Sequence, residues 1–156
     1  MAKSLSITIS AVSCAVLLVA CTGIWMRAGP QERLFFALQI EDGGRVLARP
    51  ELLGETGKRV TLKLVDPDAP ARSRLSLELE AERDRESYRV RLKLGLPDSD
   101  RAREGALELF HGEEKEIVLA DPDPQRRLSV RLLLMRVDTP EFQTWLRLAR
   151  EPLTTS

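Results

Sequence analysis

From Leu34 onward, apolar residues fall mostly at every second position, in runs broken by glycine, proline and aspartate. Successive side chains of an extended chain point to opposite faces, so this period buries one row of each run and leaves the other in water. The pattern predicts strands over Leu34–Glu41, Arg45–Leu52, Arg59–Val65, Arg74–Glu80, Tyr88–Leu94, Ala106–Phe110, Glu116–Ala120 and Leu128–Met135. Asp42-Gly43-Gly44 predicts a tight turn between the first two, because primed turns need the positive φ that glycine tolerates. Gly54–Lys58 and His111–Lys115 read as two further hairpin loops.

The clearest pair sets Leu75, Leu77 and Leu79 against Val90, Leu92 and Leu94, with Ala81–Ser87 as a charged loop between them. The expected register places Glu80 opposite Arg89, Glu78 opposite Arg91 and Ser76 opposite Lys93 on the solvent face. Such pairs contribute about 0.2–1 kcal/mol each and help to specify register. A second regularity follows. Strand 60–65, Asp66-Pro67-Asp68 and Arg74-Leu75-Ser76-Leu77 recur as Ile117-Val118-Leu119-Ala120, Asp121-Pro122-Asp123 and Arg127-Leu128-Ser129-Val130. Two similar four-strand halves fit two sheets packed face to face or one closed barrel, and the expected fold is the former, a mostly β, eight-stranded antiparallel sandwich over residues 34–150.

Helical period enters only at the end. Thr139 or Asp138 can cap a short helix with Pro140 in its first turn, and Phe142, Trp145, Leu146 and Ala149 share a face. The stripe can pack on a sheet, or Phe142 and Trp145 can form a partner-binding surface. Pro152 stops the helix, leaving residues 151–156 as a tail.

The other end is different. Leu5–Met26 carries no charged residue and follows Lys3, so residues 1–26 read as a signal or anchor segment, with a linker over 27–33. Leu18-Val19-Ala20-Cys21 resembles the bacterial lipobox, which implies acylation of Cys21, and Thr22 in place of aspartate resembles lipoproteins sent to an outer membrane. Ile24-Trp25-Met26 prolongs the apolar run to about the 20 residues that cross a hydrocarbon core, so an uncleaved anchor helix is the alternative, and simple cleavage a third. All three place the domain outside the cytoplasm, facing the periplasm.

Composition narrows the chemistry. Lysine plus arginine equals aspartate plus glutamate at 24 each, which argues against nucleic acid as a partner. Both cysteines, Cys14 and Cys21, lie in the leader, so the domain has no disulfide, thiolate nucleophile or cysteine-zinc site. His111 is the single histidine, and a hydrolase would depend on it together with Ser129 or Ser76. The Asp-Pro-Asp turns offer Asp66, Asp68, Asp121 and Asp123 as hard oxygen ligands for Ca²⁺, although aspartate and proline also form turns unaided. No phosphate-cradling glycine loop is present and no cofactor is expected.

Val46-Leu47-Ala48-Arg49-Pro50-Glu51-Leu52-Leu53, followed by Gly57, Val60 and Leu62, is similar to a hairpin in the β-domain of bacterial secretins. The resemblance implies an envelope-type β element; the chain is too short for pore formation to transfer. The expectation is a membrane-tethered, non-enzymatic interaction or assembly module of the bacterial envelope with an envelope protein as partner. Small-molecule or Ca²⁺ binding is the alternative, and hydrolysis a third reading.

Overall fold

The computed structural model describes residues 31–66 and 68–150, without the side chains of residues 66 and 69–73. The leader, Cys21 and the tail lie outside the described residues. What is described is mostly β: two antiparallel sheets and one short C-terminal helix. In chain order the strands are β1 (Arg33–Asp42), β2 (Arg45–Ala48), β3 (Glu51–Glu55), β4 (Arg59–Asp66), β5 (Ala69–Asp84), β6 (Ser87–Gly95), β7 (Arg103–Phe110), β8 (Glu114–Leu119) and β9 (Leu128–Arg136), followed by helix α1 (Pro140–Arg150). Among the described residues no helix is long and apolar enough to cross a membrane.

One sheet has the order β2-β1-β9-β8, with β3 also pairing β1; the other is the meander β4-β5-β6-β7. The expected single strand Arg45–Leu52 is two strands, because Pro50 has no N–H to donate to the ladder. β2 and β3 lie in succession along the same edge of β1, and the Leu38 amide bridges the break by donating to the Pro50 carbonyl at 2.9 Å. The Asp42-Gly43-Gly44 turn forms as its sequence requires, with φ of 58° and 84° at the two glycines.

The inward rows of the two sheets meet in one aliphatic core. Leu34, Phe36, Leu38 and Ile40 of β1 and Leu128, Val130, Leu132 and Leu134 of β9 face Leu75, Leu77 and Leu79 of β5 and Val90, Leu92 and Leu94 of β6. The arrangement is sandwich-like. A second, smaller cluster lies on the outer face of the five-stranded sheet, where Phe142 of α1 buries against Phe35, Met135 and Val137.

Two expectations are corrected. β5 continues to Asp84 and closes onto β6 through Arg85 and Glu86, so the register moves by two residues: Glu80 faces Arg91, Glu78 faces Lys93 and Ser76 faces Gly95. A shift of two keeps every side chain on its own face, so the hydrophobic pattern is the same in both registers. The sequence halves also do not form separate sheets, since β1 pairs with β9 across the length of the domain. The repeated hairpins nevertheless match in register: Leu64 faces Leu75 in one sheet as Leu119 faces Leu128 in the other.

Candidate functional site

Strand direction gathers four connections at one end of the sandwich: the β1–β2 turn, the β4–β5 turn, the β6–β7 loop and the β8–β9 loop. Between β2 and β4 this end opens as a cleft of about 730 Å³, lined by Val46, Leu47, Val65 and Leu96 with Arg45, Asp98 and Arg126. Val46 and Val65, on strands of different sheets, remain 40% and 50% exposed.

Three polar groups at the cleft, Asp42, Asp98 and Arg126, are engaged with one another. Arg126 Nε donates to Asp42 Oδ2 at 2.8 Å and Nη2 to the same oxygen at 2.6 Å, while Nη1 reaches Asp98. The Arg126 guanidinium holds the Asp98 carboxyl below its ordinary range. Deeper in, Arg103 donates Nε to Asp121 Oδ2 at 2.8 Å, and its Nη2 lies 2.7 Å from that oxygen. Both side chains are almost fully buried, 4% and 3% exposed. The Asp123 amide donates to Asp121 Oδ1 at 2.9 Å, and the Gln125 amide to Asp123 Oδ1 at 2.9 Å. First this amide and then Arg103 hold the Asp121 carboxyl low.

This geometry gives the second Asp-Pro-Asp turn a local role. Asp121 directs both oxygens at protein donors, and Asp123 caps the next amide, as turn-forming aspartates do. In the first turn Asp68 is exposed, and the Asp66 side chain lies outside the described residues. Among the described residues no three His, Asp or Glu side chains are grouped so as to hold a metal ion.

His111 lies in the turn between β7 and β8, at the other end. Its Nδ1 accepts the Arg136 amide at 3.0 Å, and its Nε2 sits 3.6 Å from Glu141 without a hydrogen-bond partner. The ring thus ties the β7–β8 turn to β9 and the first turn of α1. Ser129 is buried in the five-stranded sheet and Ser76 lies on β5 of the other, so the three residues occupy separate places. Phe142 is buried beneath α1, 5.2 Å from the Phe35 ring, and Trp145 stands 4.6 Å from Phe35. Aromatic pairs at these separations pack the helix onto the sheet.

The outer face of the four-stranded sheet is a lattice of alternating charge. Arg59 and Lys63 stand on β4, Glu78, Glu80 and Glu82 on β5, Arg89, Arg91 and Lys93 on β6, and Glu104 and Glu108 on β7. Arg91 bonds Glu80 at 3.3 Å and Glu82 at 2.8 Å, and Lys93 lies 3.4 Å from Glu104. Arg103, Arg126, Asp42 and Asp98 carry no local sequence signal, because Arg126 and Asp42 are 84 residues apart. Comparison with family models, curated proteins and solved structures returns no match.

Proposed function

We propose that the chain is a membrane-tethered, non-enzymatic interaction or assembly module of the bacterial envelope, with an eight-stranded sandwich plan in which Pro50 divides the second strand. Residues 1–26 act as a lipoprotein leader acylated at Cys21 or as an uncleaved anchor helix, and residues 27–33 link them to the domain. The segment similar to a hairpin of the secretin β-domain, residues 46–62, runs through β2, β3 and into β4 and is the envelope-type element of this reading.

The observation that supports it is the engagement of the reactive groups with one another. The single histidine spends its Nδ1 on the Arg136 amide, Asp121 and Asp42 are held by arginines, and the charged outer face pairs its own charges. Acid–base or nucleophilic catalysis needs such groups within reach of a substrate. Here they fix turns and strand register, and surface is what the domain presents.

Intact mass of the chain isolated from membranes tests the tether. A species beginning at Cys21 with added acyl mass supports the leader, and a full-length species in the membrane supports the anchor helix. Recovery of an unacylated full-length chain from the cytoplasmic fraction would contradict both. Substrate turnover by the purified chain that disappears in His111→Ala would overturn the non-enzymatic reading.

A further inference from the structure

We infer that the outer edge of β4 is a docking site for an extended partner segment that alternates acidic and apolar residues, which adds to the four-stranded sheet as a fifth strand. This names a surface and a partner chemistry for the interaction module proposed above and rests on that reading.

Charge order carries the first half of the argument. The columns run positive on β4, negative on β5, positive on β6 and negative on β7, and each column neutralises its neighbour. β4 is an end of this series, with β5 as its one neighbour in the sheet. Arg59 leans toward Glu78 and Glu80 at 3.7 and 3.8 Å, but Lys63 stands opposite Ser76 and makes no ion pair among the described residues. The column that continues the order beyond β4 is acidic, and opposite charges across adjacent strands stabilise the pairing.

The two ends of the series are not equivalent. Beyond β7, β8 approaches: Lys115 Nζ donates to the Glu108 carbonyl at 2.8 Å, and the side chains of Ile117 and Leu119 crowd Gly105. Beyond β4, β3 comes alongside only at the start of the strand, where a Cβ on Gly54 would lie 2.5 Å from Val60 Cγ2, and from Leu64 the edge borders the cleft with Val46 and Val65. A strand laid about 4.8 Å from β4 turns alternate side chains inward. The cleft receives them, so these positions are apolar while the outward ones are acidic.

A second copy of the chain fits poorly. Pairing β4 with itself sets Arg59 and Lys63 against the same cations, and like charges directly opposite are destabilising. Basic residues on an edge discourage self-association and leave an acidic partner favoured.

The test uses the full chain in detergent micelles and two fluorescent peptides of about ten residues, the length of a long strand. One alternates glutamate with valine and the other lysine with valine. Fluorescence anisotropy is expected to show saturable binding of the glutamate peptide, weakened about tenfold by Lys63→Glu, with the lysine peptide gaining affinity for that variant. Arg147→Glu, on the helix, leaves both peptides unchanged. Equal binding of the two peptides, failure of the glutamate peptide to saturate, or indifference to Lys63→Glu overturns the proposal. Lys63 is exposed, so unfolding of the variant does not confuse the result. Photo-crosslinkers at Thr61 and Ala106 in cells separate this inference from the broader reading. A partner crosslinked at Ala106 and not at Thr61 overturns the edge and leaves the interaction module standing.

Discussion

Tyr88 is almost wholly buried, and its hydroxyl donates to Glu32, which also receives Arg83. Burial first, and then the neighbouring carboxylate, push the phenol up to about 12 from an ordinary value of 10.0. A raised acid favours the fold below the unfolded pKa and loses that contribution as pH rises through the folded one. Stability is therefore expected to fall between about pH 10 and pH 12, and less steeply in Tyr88→Phe. Because Tyr88 is the single tyrosine, tyrosinate absorbance of the native chain reads it directly, and titration near 10 would contradict the burial account. The sign reverses for Asp98 and Asp121, both held low. Their contribution is intact above the unfolded value of about 3.9 and is lost as pH falls through the folded values. Melting temperature is thus expected to drop on acidification below about pH 4, with a shallower slope in Asp121→Asn. An unchanged slope in that variant would show that the Asp121 carboxylate carries none of the acid sensitivity.

Strands and turns show what alternation specifies and what it leaves open. The rows Leu75-Leu77-Leu79 and Val90-Leu92-Leu94 were legible because period two separates a buried face from a wet one, and the structure buries those residues. Their register was not legible, since slipping by two residues keeps the faces. It is decided by Arg85, which takes a left-handed φ of 58° and lets the strands run to Asp84 and Ser87. Glycine at this position removes the side-chain strain, so Arg85→Gly is expected to raise the unfolding free energy obtained from urea titration by up to about 1 kcal/mol. Gly105 has the opposite sensitivity. A Cβ there would lie 2.7 Å from Leu119 Cδ2 and 2.8 Å from Ile117 Cδ1, where β7 and β8 pass between sheets. Gly105→Ala is expected to destabilise by about 1–3 kcal/mol, and a neutral effect in urea unfolding would place the β8 side chains elsewhere. The ion pair Arg126–Asp42 had no period to reveal it. Its partners belong to different strand pairs and meet only when β1 closes against β9.

At the scale of the whole domain, the first and last long strands are neighbours, and α1 covers part of the outer face that they form. Phe142 anchors that cover, so Phe142→Ala is expected to destabilise by about 3–5 kcal/mol in thermal or urea unfolding. The opposite sheet leaves its charge lattice to solvent, and the end away from His111 leaves a cleft. In the proposed reading, these two surfaces are what a membrane-held module offers a partner. The proposed tether puts these surfaces outside the cytoplasm. Its most direct measurement places a cysteine at exposed Ala106 and exposes intact spheroplasts to a membrane-impermeant maleimide. Labelling of the variant is expected without lysis, in a chain that sediments with membranes. Labelling at this position only after the membrane is broken would contradict the tether.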